Sequence, residues 1–256
     1  MGIFEKKNRH IPFISISQYS KIGWSWNDKL NHINNLKLLI KCFKKIIIMN
    51  AHTLETQTKM TPETALQELK DGNGRFTQQK ELNRDLLLQV KQTSTGQYPF
   101  ATVLSCIDSR VSSELVFDQG IGDIFSIRIA GNFVNEDILG SMEFACKLAG
   151  TKLVLVLGHT ACGAVKGACD HARLGNLTAL INKIEPAVEA VSEPQDKSLR
   201  NSSNIDFVNT VAQKNVFMTI DNIRSSSEVL AEMEEKGEIK IVGGMYDIHT
   251  GAVDFY

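Results

Sequence analysis

Residues 101–110, ATVLSCIDSR, and residues 153–168, LVLVLGHTACGAVKGA, are the two stretches from which the architecture can be read. Each opens as a short apolar run and stops abruptly at residue types that bind metals. These are Cys106, Asp108 and Arg110 in the first, and His159 and Cys162 in the second. Short runs rich in leucine and β-branched residues, bounded by turn residues, read as buried strands. In open α/β sheets the ligand site lies beyond the carboxyl ends of the strands. Two such strands laid side by side bring Cys106, His159 and Cys162 to one point.

The surrounding sequence alternates between strand and helix patterns. Upstream, TPETALQELKDGNGRF (61–76) reads as a helix with Thr61 as N-cap, Pro62 at the first helical position, and Gly72 or Gly74 as the stop. A second helix is predicted over 83–93, a turn at 96–99, and the first central strand over 100–105. A short helix over 113–118 leads to a strand over 124–129. A helix over 137–149 follows, with Ile138, Met142, Ala145 and Leu148 or Ala149 on its buried face. The second central strand covers 153–157, and a helix begins at Ala164. Residues 177–235 read as helical with a break near Pro194 and the polar 198–204. A strand over 239–242 and a hairpin over 245–256, turning at Thr250-Gly251, close the chain. Strands alternating with helices give an α/β fold with a central, mainly parallel sheet flanked by helices.

The chain has 256 residues, 43% hydrophobic and 22% charged, which suits a soluble globular protein with a sizeable core. A formal net charge of −1 gives no electrostatic case for nucleic acid or an acidic membrane as partner. Five scattered cysteines do not form a disulfide framework, which points to a reducing, cytoplasmic setting. Residues 1–59 differ from the rest, being rich in Lys, Asn and Ile and poor in acid. Their most apolar part, residues 36–49, is interrupted by lysines and too short to span a bilayer. This segment reads as a poorly ordered extension, a basic organelle-targeting segment or a surface-lying helix, with the folded domain over 60–256.

Cys106, His159 and Cys162 form a Cys₂His set, a donor combination that suits a catalytic zinc with one position left for water. A lone H-x-x-C has little weight, and a cysteine at a strand end is often a small buried hydrophobe. Asp108 and Arg110, just beyond Cys106, give the motif its specificity, because an acid–base pair in that loop needs a reason. The combination Cys106-x-Asp108-Ser109-Arg110 with His159-x-x-Cys162-Gly163 resembles the β-class carbonic anhydrase family. The segments 120–132 (GIGDIFSIRIAGN) and 158–167 (GHTACGAVKG) are similar to that family as well.

The resemblance covers about residues 61–256. It implies a lyase that reversibly hydrates carbon dioxide to bicarbonate and a proton by attack of zinc-bound hydroxide, with one Zn²⁺ per subunit. It further implies helical arms that wrap a partner, giving a homodimer or homotetramer with each site at a subunit interface. In that scheme Asp108 accepts a hydrogen bond from the hydroxide and Arg110 holds Asp108, whereas a purely structural pair would only tie down the loop. Gln97 donates to substrate oxygen from the opposite side, and Phe125, Ala130 and Phe144 line an apolar CO₂ pocket. Many plant-like members carry Tyr where Phe144 stands here. Some members close the site by swinging the Asp onto zinc, stabilised by bicarbonate in a pocket made by a Trp, an Arg and a Tyr. Arg128 matches that Arg, but Val103 stands at the Trp position. An open site is therefore expected, with Asp108 a ligand only in a closed state. Two alternatives share the ligand set: a hydrolase of the CO₂-like molecules CS₂ or COS, and a non-catalytic zinc module with Asp108 as permanent fourth ligand.

Overall fold

The computed structural model describes residues 48–256, and the expectations for the basic segment through Ile47 lie outside them. Three helices come first: α1 (Leu54–Thr58), α2 (Pro62–Thr77) and α3 (Leu86–Thr93). They are followed by β1 (Ala101–Ser105), α4 (Ser113–Val116), β2 (Ile124–Arg128) and α5 (Glu136–Glu143), which continues as a π turn over Phe144–Leu148. Next are β3 (Leu153–His159), α6 (Gly163–Cys169), α7 (Gly175–Ile181) and α8 (Glu185–Ala190). The long α9 (Ile205–Ser226), α10 (Glu228–Glu235), β4 (Lys240–Tyr246) and β5 (Val253–Phe255) complete the chain. Among the described residues no helix is long and apolar enough to cross a membrane.

The five strands lie in the order β2-β1-β3-β4-β5, parallel except for the β4–β5 pair. Every residue of β1 and β3 is buried, which a strand covered on both faces requires. Side chains alternate between the two faces. Leu104, Val154 and Val156 point into a layer formed with Val165, Phe207, Val211 and Ile223. Val103, Leu153, Leu155 and Leu157 point into the other, against Ala65 and Leu69 of α2 and against Phe100 and Phe117. Each such leucine contributes about 1.5–3 kcal/mol of transfer free energy on burial. The helix starts follow from local chemistry. Thr61 forms a capping box with Thr64, Asp85 accepts from Leu88 N–H, and Asn204 accepts from Phe207 N–H to start α9.

Several boundaries differ from the sequence reading. The second helix starts at Leu86 rather than 83, because Asp85 caps it. The α2 helix does not stop at Gly72 or Gly74 but runs to Thr77. Gly72 is a close-approach position instead, where a Cβ would stand 1.9 Å from the Phe117 carbonyl oxygen. The predicted 137–149 helix widens to a π turn, in which Ala149 N–H reaches back to Phe144 C=O. The extra residue turns Ala145 and Cys146 both inward and leaves Leu148 exposed instead of buried. The second central strand extends to His159 because β4 is long enough to pair Met245 with Gly158 and Tyr246 with His159. The strand expected over 239–242 runs on through Gly243 and Gly244 to Tyr246. A Cβ on Gly243 would stand 2.8 Å from Val216 Cγ1, so the glycine is the place where α9 presses on the sheet.

One buried ion cluster anchors α2 and the α3 approach to the loop after α4. Asp118, in the left-handed region at φ +46°, accepts from Arg75 Nε at 2.5 Å, from Leu82 N–H at 3.2 Å and from Arg84 Nη1. Removing one member of such a buried set leaves the others uncompensated. Asp118→Ala is therefore expected to cost about 3–5 kcal/mol, read as a lower urea midpoint at unchanged slope. An unshifted midpoint would mean that Arg75 and Arg84 find other partners at no cost.

Candidate metal centre

The parallel register of β1 and β3 builds the site. Ser105 pairs with Leu157, so both strands end at the same edge of the sheet. Cys106 is the first residue beyond β1, His159 the last of β3, and Cys162 the residue that opens α6. All three are buried, and their ligand atoms lie within 4.8 Å of one another. The two sulfurs are 3.9 Å apart. Two sulfurs bound at about 2.3 Å to a tetrahedral zinc stand about 3.8 Å apart, so the observed spacing fits that ion.

The histidine supports the same assignment. His159 Nδ1 lies 3.0 Å from the Thr160 carbonyl oxygen, an acceptor that requires the proton to be on Nδ1. Nε2 then carries a bare lone pair, and it is a buried atom with no hydrogen-bond partner. An orphaned buried acceptor beside two thiols is costly in a metal-free fold and satisfied by a cation. The thiol pair carries the same message. Cys106 is pulled down to about 4, chiefly by the hydrogen bond with Cys162 and further by the Gly131 N–H, against the opposing effect of burial. Cys162 is pushed up by its proximity to Cys106 and by burial, against the N–H groups of Val165 and Ala164. The protein alone favours one thiolate and resists the second. A divalent cation removes that resistance.

Asp108 stands at the mouth of the site, with Oδ2 3.9 Å from His159 Nε2. Arg110 grips it three times: Nε to Oδ1 at 2.9 Å, Nη2 to Oδ2 at 2.7 Å, and its own backbone N–H to Oδ1 at 3.0 Å. Those bonds to Arg110 hold the Asp108 carboxyl well below the usual carboxylate range. Arg128 braces the loop from below, with Nε donating to the Cys106 carbonyl at 3.0 Å and Nη2 to the Asp108 carbonyl at 2.7 Å. Val103 is fully buried in the α2-facing layer.

The pocket residues divide. Ala130 adjoins Gly131, whose N–H points at Cys106 Sγ from 3.4 Å, so it lies beside the ligands. Gln97 is exposed in the turn before Phe100, at the amino end of β1. The five residues of β1 separate it from Cys106 by about 16 Å at a strand rise of about 3.3 Å per residue. Phe125 pairs with Thr102 near the start of β2 and packs edge-on against Phe144, with ring centroids 6.4 Å apart. These two rings line a cleft of about 680 Å³ with Glu136, Asp137 and Gly140. The structure thus gathers Cys106, Asp108, Arg110, Ala130, His159 and Cys162, and leaves Gln97, Phe125 and Phe144 towards the other end of the strands.

Sequence reasoning passed over the second ring of contacts. Asn209 Oδ1 accepts from Ala161 N–H at 2.8 Å, and Asn215 Nδ2 donates to the Gly131 carbonyl at 2.8 Å. Asn215 sits in the apolar stripe of α9 with Val208, Val211 and Ala212. An amide at a core position of an amphipathic helix is the signal that marks it.

Comparisons with known proteins agree with this geometry. The carbonic anhydrase family model matches residues 101–253. The carbonic anhydrase of Mycolicibacterium smegmatis is 32% identical over 199 residues, covering 75% of this chain and 92% of the relative. Carbonic anhydrase 2 of Mycobacterium tuberculosis H37Rv is 31% identical over 196 residues, covering 74% and 90%. Among solved structures, the β-carbonic anhydrase CafA of Aspergillus fumigatus superposes with a TM-score of 0.59 at 25% identity, covering 76% of this chain and 89% of that one. The match runs through both ligand-bearing stretches and across the whole sheet, and the chain belongs to the β-class carbonic anhydrase family of enzymes.

Proposed function

We propose that this chain is a zinc enzyme that reversibly hydrates carbon dioxide to bicarbonate and a proton, with one zinc per subunit. The observation that carries the reading is the convergence of Cys106, Cys162 and the partnerless His159 Nε2 on one point. Zinc held there supplies the Lewis acidity that ionises water near neutral pH, an effect for which carbonic anhydrase is the standard example.

The remaining roles fall to the chain itself. Thr160 C=O fixes the histidine tautomer that offers Nε2. Asp108, kept anionic by Arg110, accepts the O–H of the attacking oxygen at Oδ2 and so aims a lone pair at carbon. A carboxylate gripped this firmly is available as an acceptor rather than as a fourth ligand, which favours an open site. Ala130 supplies a small apolar wall on the ligand side, suited to a linear molecule without a dipole. Gln97 before β1, Phe125 near the start of β2 and Phe144 packed on Phe125 lie away from the chain's own ligands, so they serve the site of a second copy. A homodimer, or a tetramer built from such dimers, is therefore the working form. Gln97 donates to substrate oxygen across the interface.

Three outcomes test this reading. Purified protein should hold one zinc per chain, and Cys106→Ala or His159→Ala should abolish metal and CO₂ hydration together. Metal analysis beside stopped-flow hydration reads both, and a zinc-free wild type with full activity would sink the proposal. Asp108→Asn should keep its zinc and lose at least about a hundredfold in hydration rate, the scale of an acid–base contribution. Full activity in that variant, or faster turnover of CS₂ or COS than of CO₂ in a substrate panel, would remove its assigned role or its substrate. Finally, co-expressed Gln97→Ala and Cys106→Ala chains should form mixed dimers with one intact site each, recovering activity that neither variant has alone. No recovery would place Gln97 outside the partner's site.

A further inference from the structure

Helix α9 makes two polar contacts around the metal centre, one to backbone of the His159–Cys162 turn and one to the backbone of Gly131, which hydrogen-bonds Cys106. Asn209 Oδ1 receives the Ala161 N–H at 2.8 Å. Ala161 is the residue before Cys162 and two beyond His159, and it is held at φ +52°, where an alanine is strained. Asn215 Nδ2 donates to Gly131 C=O at 2.8 Å, and the N–H of the same glycine is directed at Cys106 Sγ from 3.4 Å. The two asparagines are six residues apart, about 9 Å along the helix axis at 1.5 Å per residue. One contact fixes the turn carrying His159 and Cys162. The other fixes the loop that hydrogen-bonds Cys106. The ligand set comes from two separate peptides, and α9 is tied directly to the one carrying His159 and Cys162 and, through Gly131, to the sulfur of the other.

The helix also sits at a fixed height against the strand that ends in the histidine. Gly158 immediately precedes His159, and a Cβ there would stand 2.7 Å from Val216 Cγ2 and 2.6 Å from Met245 Sδ. Val216 adjoins Asn215, so the close packing and the amide contact share one turn of α9. The turn after His159 has further ties: Thr160 N–H donates to Tyr246 C=O at 3.0 Å, and Ile248 N–H donates to Thr160 Oγ1 at 3.1 Å. Those bonds hold residue 160 to β4 and its following loop. They leave Ala161, and with it the step down to Cys162, to Asn209.

We propose that Asn209 and Asn215 are positioning residues for zinc, setting through α9 the distance between Gly131, the hydrogen-bond donor to Cys106, and the His159–Cys162 turn. The inference rests on the zinc reading above. It differs from ordinary core satisfaction in one respect. Both amide orientations are dictated by their partners: Asn209 faces an N–H and uses its oxygen, while Asn215 faces a C=O and uses its nitrogen. The same replacement must therefore act oppositely at the two sites. Aspartate at 209 keeps the acceptor, in a half-buried position where a carboxylate retains contact with water. Aspartate at 215 removes the donor and sets an oxygen against the Gly131 carbonyl in a buried position.

The experiment is zinc affinity by chelator competition, with cobalt(II) substitution to read the ligand geometry and thermal melts of the metal-free proteins for stability. Asn209→Leu, Asn215→Leu and Asn215→Asp should bind zinc about ten- to a hundredfold more weakly and show altered cobalt d–d bands. Asn209→Asp should keep wild-type affinity and bands. Leucine variants with altered melting but wild-type metal affinity and cobalt spectra would overturn the inference. So would an Asn209→Asp variant as weak as Asn209→Leu. If the leucine variants do not fold, the aspartate pair decides alone, since equal affinities at 209 and 215 contradict the proposal. A wild-type chain that binds no zinc would instead remove the metal reading on which all of this stands.

Discussion

The centre depends on strand register. Parallel pairing of Ser105 with Leu157 places the carboxyl ends of β1 and β3 at one edge of the sheet. A slip of a single residue would carry every side chain of β1 to the other face. Val103 would leave the layer under α2 and Leu104 would leave the layer under α9, so burial on both faces opposes the slip. The same forces that assemble the core thus set where Cys106 emerges relative to His159. The active-site geometry is inherited from apolar packing over both faces of two short strands, and the polar contacts only refine it.

Electrostatics then divides the work between the two ligand peptides. Two thiols 3.9 Å apart in a buried site cannot both ionise without help, and the opposite shifts of Cys106 and Cys162 express that conflict. A dication resolves it and leaves a neutral centre, because the histidine adds no charge. Such a centre is a weaker acidifier of water than one ligated by imidazoles alone. On the proposed reading the compensating group is Asp108, which Arg110 keeps anionic and so able to accept a hydrogen bond.

The sheet and the ligand set were legible because both rest on local signals of high contrast. Buried strands such as LVLVLGH announce themselves by length and composition, and Cys, His and Cys at their ends leave few other readings. What escaped the sequence depends on partners distant along the chain. Gly72 or Gly74 reads as a helix stop, and the last parallel strand reads as ending before Gly243, since nothing local tells a turn glycine from one that admits a neighbouring element. Gly243 needs Val216, and Gly72 needs Phe117, to be understood. The π turn at Phe144–Leu148 is invisible in a 3.6-residue pattern, as it alters that pattern by a single residue. Asn209 and Asn215 carry no motif, and only their contacts with Ala161 and Gly131 distinguish them from other helical amides.

Strand β2 ties the sheet edge to the centre. It is an edge strand among the described residues, paired on one side only. Edge strands are open to further pairing unless something blunts them. Two of its exposed side chains are directed back into the chain: Ser126 Oγ donates to Glu114 at 2.6 Å, and Arg128 donates to the carbonyls of Cys106 and Asp108. A second copy packed on this edge would therefore press on the residue that holds the ligand loop. Order at the interface and order at the centre would then be gained together. Arg128 is the physical link: it contacts backbone on either side of Ile107, whose side chain is exposed. On this arrangement an isolated chain has its ligands in place but a loop braced from one side only. A second copy on this edge would brace that loop from its other side, through the same strand.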